Sequence, residues 1–347
     1  MEHSLQTIYD NVSIADTLSM YFIMRKEKEN ITGRRRVLEK YDFSVLRVDI
    51  NEEISLFLKD LARKQIEHAI KKELELTPYE VISDDQEQVF TYTELNKIGS
   101  FAKIINEQLP HKLTIPTMQN FDEILRVGDL LWAYCIELSY VENNARKYIY
   151  TFRKLNAGNI VADEKENRAG KIRNIMTLFN TRSNKLEKFK GGAIKLDATI
   201  DCIFESGIFY ILQKSQFETL VGMAVDFQEQ AISVVEELQK LDMIDGLEHI
   251  SDAIIKNTAI HKKLVRLKKL QNYEKLDPGM IAKMKRAAKT EKYKLKTNEE
   301  GKIVIEDTKD VDMVIKLLCD YYKQGVVTGK NYGTYAGKFF DSPENLL

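Results

Sequence analysis

Apolar and polar residues alternate along Asp16–Lys26, with Leu18, Met20, Phe22 and Met24 on one side, and a period of two predicts a half-buried strand. Asp42–Ile50 reads as a second strand, reached through a basic hairpin region at Arg34-Arg35-Arg36. Asn51 then offers an N-cap, and Glu52 and Glu53 fall in the first turn, where the helix dipole favours acids. Ile54, Leu58, Leu61 and Ile66 return at helical spacing and are expected to face a core. Pro78–Ile82 and Val89–Tyr92 read as short strands, and Pro110 and Pro116 mark irregular chain before a helix around Phe121–Arg126. Asp129–Tyr140 and Lys147–Leu155 form a long hairpin turning at Asn143-Asn144, with Trp132, Tyr134 and Ile136 alternating on one face.

The stretch Ala193–Ala231 predicts two strands, Ala193–Phe204 (broken near Asp197) and Gly207–Gln213, joined by the turn Glu205-Ser206-Gly207. A capping box follows, Ser215 with Glu218 three residues on, opening a helix whose apolar positions are Leu220, Ala224, Phe227, Ala231, Val234 and Leu238. Helices continue to about residue 295, interrupted by a turn at Asp277-Pro278-Gly279. Lys302–Ile305 predicts a short strand and Val311–Gln324 a last helix. The pattern gives an α+β protein with an antiparallel-rich N-terminal half and a helix-rich C-terminal half. Two domains are expected, 1–128 and 129–347. No fixed-period repeat and no low-complexity tract interrupts this reading.

A chain of 347 residues with 44% apolar and 30% charged residues is ordinary for a globular protein. No run approaches the ~18 apolar residues of a membrane span, and the start, MEHSLQTIYD, lacks the basic-then-apolar order of a signal peptide. A soluble cytoplasmic protein is the expectation. Cys135, Cys202 and Cys319 are odd in number, far apart and set among apolar neighbours, which predicts buried thiols rather than disulfides.

The net charge of −1 hides strong segregation. Lys256–Lys296 holds 14 Lys/Arg against 3 Asp/Glu, and Lys165–Lys190 holds 8 against 2. Acidic runs such as Asp84-Asp85-Gln86-Glu87 balance them. On a helix through 261–269, Lys262, Arg266 and Lys269 share one face with Lys263 beside it, and Leu264, Leu267 and Leu270 define the opposite side. Lys283, Lys285, Arg286, Lys289, Lys292, Lys294 and Lys296 continue the charge, so two basic helices are expected to offer a positive surface to a polyanion. In the other stretch, Arg168, Lys171, Arg173, Arg182, Lys185, Lys188 and Lys190 surround the apolar insert Ile175–Phe179. That arrangement suits a docked basic loop with arginines for phosphate. Nothing has the Arg/Asn spacing of base reading, so binding should be independent of sequence. The candidate nucleic-acid-binding residues are therefore Lys262, Lys263, Arg266, Lys269, Lys283, Lys285, Arg286, Arg168, Lys171, Arg173, Arg182 and Lys185. Docking of the same basic face on an acidic protein or on anionic lipid is the third reading.

Catalytic motifs fail on inspection. Gly333–Lys338 is one residue short of a phosphate loop and is followed by Phe339, and Gly325–Lys330 fails in the same way before Asn331. Asp201 and Leu212-Gln213-Lys214 have the layout of a metal-dependent nuclease, but Leu212 stands where a second carboxylate is needed. His3, His68, His111, His249 and His261 form no short-spaced ligand pair with one another or with the cysteines. No catalytic residue, metal or cofactor is assigned.

One resemblance adds to this. Asp197-Ala198-Thr199-Ile200-Asp201, the strand Gly207–Lys214 ending in a polar residue, and Phe217-Glu218 opening a helix occur together. With the C-terminal Leu317–Lys338, containing Thr328-Gly329-Lys330-Asn331-Tyr332, they resemble the bacterial family of the KwaB component of the Kiwa anti-phage system. The likeness runs from Leu130 to Lys338. It implies a cytoplasmic defence protein that binds DNA and blocks phage replication or transcription. It also implies a small membrane partner of the KwaA type that senses attack and recruits the protein to the inner face of the membrane. A homodimer or higher homo-oligomer is expected. The alternatives are a degenerate or cryptic nuclease built on Asp201 and Lys214, and an adaptor accompanying a short prokaryotic Argonaute.

Overall fold

The computed structural model describes residues 4–27, 41–82, 88–110, 114–119, 131–156, 160–161, 177–180, 185–188, 193–290, 292–325 and 327–335. The expected helix around Phe121–Arg126 and the Arg34–Arg36 hairpin lie outside them. The α+β class holds. The chain forms two compact units, one of residues 1–79 and 85–222, the other of 80–84 and 223–347. The division at 128/129 drawn from the sequence delimits the family-like segment; compactness divides the chain elsewhere, because strands from both sides of residue 128 share one sheet.

That sheet has eight strands in the order β2-β1-β5-β6-β11-β12-β4-β3. They are β1 (Thr17–Glu27), β2 (Tyr41–Val48), β3 (Glu75–Pro78), β4 (Gln88–Tyr92), β5 (Leu131–Glu142), β6 (Ala145–Lys154), β11 (Cys202–Glu205) and β12 (Ile208–Ile211), with short strands β7 to β10 between 160 and 194. All these neighbours are antiparallel except β3 with β4. Asn143 (φ 49°) and Asn144 (φ 60°) turn the β5–β6 hairpin in the left-handed region, which Asn tolerates and which suits the twist of a two-residue hairpin. Ser206 and Gly207, also at positive φ, turn β11 into β12.

One face of the sheet buries Met20, Phe22, Tyr134, Ile136 and Leu138 against α1 (Leu5–Ile14) and α2 (Glu52–Lys71). Asn51 caps α2 by accepting from Ile54 N at 2.9 Å, and Leu58, Leu61 and Ile66 are buried as the spacing predicts. Ile54 is a correction: it is exposed in the first turn, ahead of the contacts that cover Leu58. Helix α1 escaped the pattern reading, although Ser4 caps it by accepting from Thr7 N at 3.1 Å. Edge-to-face and tilted rings run through Phe43, Phe101, Phe152, Phe209 and Phe217. Such pairs add to the burial of large apolar area.

The predicted helix after β12 is two helices. The first, α3 (Lys214–Val221), begins one residue before Ser215, and its N-cap Gln213 makes no side-chain cap. Glu218, expected to close a capping box, instead accepts from Tyr79 Oη at 2.6 Å. Gly222, at φ +78°, ends α3 in a left-handed cap, and α4 (Met223–Leu241) starts afresh.

In the second unit α4, α5 (Leu247–Lys256), α6 (Thr258–Leu270), α7 (Pro278–Thr290) and α8 (Thr308–Leu318) surround Val234, Leu238, Ile250, Leu264, Ile281, Val314 and Leu318. Two-residue strands β13 (Ile244–Asp245) and β14 (Ile303–Val304) pair in parallel. Asp307 caps α8 by accepting from Lys309 N and Asp310 N. The predicted helix to Gln324 stops at Leu318: Asp320 takes φ +51°, and the chain enters the hairpin β15 (Tyr322–Gln324) and β16 (Asn331–Gly333). Among the described residues, no helix is long and apolar enough to cross a membrane.

Candidate functional site

The basic residues of the second unit divide into two groups once their partners are known. On α6 most of the charge is engaged. Lys263 Nζ donates to Asp312 Oδ1 at 2.7 Å. Arg266, expected on an exposed face, is only 5% exposed, and its Nη1 donates to Glu80 Oε2 at 3.2 Å. Lys269 Nζ meets the other oxygen of the same carboxylate at 2.5 Å. Lys262 is half-buried with its ammonium 5.8 Å from the Phe227 ring. The continuous positive face expected from helical spacing is thus broken by Glu80 and Asp312. Neither acid could be assigned to α6 from the sequence, since they lie 186 and 49 positions from their partners.

On α7 the charge is exposed. Lys283, Lys285, Arg286 and Lys289 all face solvent. At the end of this helix the backbone N–H groups of Lys292 and Tyr293 donate to the carbonyls of Lys289 and Ala288, and Lys292 takes φ +58°. This reversal folds the segment after Lys292 back beside α7. Val304 N donates to Lys296 O at 3.1 Å, so β14 closes the other side.

The result is an open cleft of about 690 Å³ lined by Lys285, Lys289, Lys292, Lys294 and Lys296, with Tyr293, Thr297 and, among the described residues, one acid, Glu306. Lys285 and Lys289 stand one turn apart on α7, and the other three alternate along the returning segment. Lys285 Nζ donates to Thr297 Oγ1 at 2.8 Å. Lys296 is held by Glu306 at 2.5 Å and Asp310 at 3.2 Å, and the Glu306 bond chiefly pushes its pKa up. Burial works to raise the Asp310 carboxyl. Hydrogen bonds from Tyr293 Oη, Glu306 N and Lys296 outweigh it and hold Asp310 below the usual range. Lys289, Lys292 and Lys294 make no ion pair among the described residues.

Five ammonium groups around one open cleft create a directed positive potential suited to an anion with several charges. Ammonium groups act as point charges without the planar fork that reads base edges, so such a cleft favours phosphates over sequence. The sequence flagged Lys283, Lys285 and Arg286 as site residues, and the structure exposes all three, Lys285 on the cleft itself. It did not single out Lys289, Lys292, Lys294 and Lys296 from the general charge. The alternate spacing of Lys292, Lys294 and Lys296 just past a helix end was the available signal. Arg168, Lys171, Arg173 and Arg182 fall outside the described residues, and Lys185 opens the short strand Lys185–Lys188 with its side chain undescribed.

In the first unit Asp201 is not poised for catalysis. Its carboxylate is fully buried, accepting from Arg153 Nη1 at 2.5 Å and Lys154 N at 2.6 Å, while Arg153 Nη2 also holds Asp197 at 2.9 Å. The Asp201 backbone carbonyl takes the N–H groups of Leu212 and Gln213. Burial pushes the Asp201 carboxyl up, and Lys154 N and Arg153 counter this only in part. Lys214, the other member of the nuclease layout, is buried with its ammonium 5.2 Å from the Phe90 ring and 5.6 Å from the Tyr79 ring. These contacts make Asp201 the staple between β6, β11 and the start of α3.

The fold is a mixed α+β scaffold carrying a lysine-lined cleft. The chain belongs to the KwaB-like family of Kiwa proteins: the family model, Kiwa protein KwaB-like, matches residues 129–328. That membership points to a component of Kiwa anti-phage defence. No curated protein and no solved structure matches the chain. The matched span starts just before β5, includes α7 and the whole cleft, and ends in the turn between β15 and β16.

Proposed function

We propose that this protein is the DNA-binding component of a Kiwa-type defence. It captures phage DNA by its backbone phosphates, without strong sequence preference, and hinders replication or transcription of that DNA. In this reading a small membrane protein of the KwaA type senses the attack and brings the protein to the membrane, and copies of the chain assemble into a homo-oligomer on the DNA. The functional segment is 129–347, with the cleft beside α7 as the phosphate-binding surface. The observation that carries the reading is the set of ammonium groups of Lys289, Lys292 and Lys294, without an ion pair among the described residues, in a cleft where Glu306 is the one described acid. A lysine face kept only for solubility has no need to converge on a concavity.

The test is charge reversal of Lys289, Lys292 and Lys294 together to Glu, with fluorescence anisotropy on a labelled 30-base-pair duplex at several salt concentrations. The expected result is a loss of affinity of at least tenfold and a log–log salt slope shallower by about 0.9 for each phosphate contact removed. The melting temperature should hold, because all three side chains are solvent-facing. Unchanged affinity in a folded variant removes the cleft from the DNA site.

A further inference from the structure

The structure points to a second phosphate position, and this inference rests on the DNA-binding reading for the identity of its ligand. Arg266 is nine-tenths buried yet poorly satisfied. One guanidinium contact reaches Glu80, at the long distance of 3.2 Å, and its Nε is buried with no hydrogen-bond partner. A guanidinium offers a fork of donors whose best partner is an oxyanion that takes Nε and Nη together. Glu80 does not do that here: one oxygen meets Nη1 of Arg266, the other meets Lys269 at 2.5 Å, and Nε is left over. Lys269 itself is 60% exposed, so one edge of the site is open to solvent.

We propose that Arg266 and Lys269 form an oxyanion site that Glu80 fills as an internal stand-in for a phosphate. A non-bridging pair of phosphate oxygens satisfies Nε and Nη of Arg266 and the Lys269 ammonium at once, and Glu80 leaves as it enters. Residues 80–84 belong to the second unit although the chain on both sides of them belongs to the first. The masking carboxylate therefore sits on a segment of five residues, 80–84, and the acidic run Asp84-Asp85-Gln86-Glu87 begins four positions after it in the sequence. Nucleic acid held by the α7 cleft competes with Glu80 for α6, and full engagement requires Glu80 to give way.

Glu80→Gln tests this in the full chain, because the amide keeps an acceptor beside Arg266 while removing the charge. Titration calorimetry with inorganic pyrophosphate reads the site without DNA. The variant should bind at least about tenfold more tightly than the parent, and Lys269→Ala in the Glu80→Gln background should abolish that gain. The exposed Glu236→Gln, an equal change of charge, should show none. Pyrophosphate affinity equal to the parent's, or a gain that survives Lys269→Ala, overturns the site.

Anisotropy with the labelled duplex then asks what the site is for. Tighter binding by Glu80→Gln with a steeper salt slope assigns it to nucleic acid. A pyrophosphate gain with no change toward DNA keeps the oxyanion site and refutes its use by nucleic acid. Failure of both parent and Glu80→Gln to bind DNA, with the pyrophosphate gain intact, refutes the DNA reading alone.

Discussion

The Asp201 staple of the first unit and the lysine cleft of the second contain similar charged residue types put to opposite uses. Around Asp201 two carboxylates and a guanidinium are buried or half-buried, and their hydrogen bonds, with that from Lys154 N, knit strands together. Around the cleft, Lys289, Lys292 and Lys294 make no ion pair among the described residues, Lys285 donates to Thr297, and Lys296 is held by Glu306 and Asp310. Charge that is already paired steadies a fold and has nothing left for a ligand. Charge left unpaired in a concavity contributes little to stability and is available for binding. α6 lies between the two cases: its residues look free in the sequence and prove to be held by Glu80 and Asp312.

This contrast breaks most visibly at Asp201. Replacing it with Ala leaves the half-buried Arg153 with Asp197 as its remaining counter-charge; breaking a fully buried pair typically costs about 3–5 kcal/mol, and this one is expected toward the lower end of that range. Urea unfolding of Asp201→Ala should show a loss of that order; a loss below 1 kcal/mol would show that the staple is not structural. A nuclease assay on this variant means little until its fold has been verified, since unfolding mimics the loss of a catalytic carboxylate.

The cleft should give the reverse pattern. The triple Lys→Glu variant at 289, 292 and 294 should lose DNA affinity with its stability unchanged, whereas Lys263→Ala on α6 should lose stability by less than about 1 kcal/mol, as partly exposed pairs do. If Lys263→Ala weakens DNA binding as much as the triple variant, the distinction between held and free lysines fails.

A change smaller than that at Asp201 concerns Lys154. Burial, and then the nearby Arg25, lower its pKa from 10.5 to about 8. Below pH 8 the folded protein bears the cost of a buried ammonium. Between 8 and 10.5 the unfolded chain binds a proton that the folded chain has released, so this group makes stability climb with pH. Lys154→Met should therefore be more stable than the parent by about 1–3 kcal/mol at pH 7, with the advantage shrinking above pH 8 and gone by 10.5. A difference that stays flat from pH 7 to 10.5 rules out this origin.

Much of the fold was legible because local chemistry decided it. The Asn143-Asn144 turn, the Asn51 cap and the Ser206-Gly207 turn each depend on residues a few positions apart. The break between α3 and α4 was missed because Leu220, Ala224 and Phe227 keep helical spacing straight through it. Gly222 was the one sign that the helix stops. The last helix was drawn too long for a similar reason, since Asp320 adopts a left-handed turn that favours glycine and that no pattern of apolar residues reveals. The site was half legible. Charge density located the right part of the chain, but the reversal at Lys292 shapes the cleft, and long-range acids decide which cations stay free.

Trp132 is the protein's only tryptophan. Its ring lies under the Arg25 guanidinium, 3.4 Å from centroid to Cζ, with the Lys154 ammonium 3.7 Å away, and its Nε1 donates to Leu220 O at 2.9 Å. Every one of these partners belongs to the first unit. Intrinsic tryptophan emission is therefore a built-in optical reporter placed in that unit. Paired with tyrosine absorbance or a dye placed on the second unit, it allows the two halves of the molecule to be watched separately as they melt.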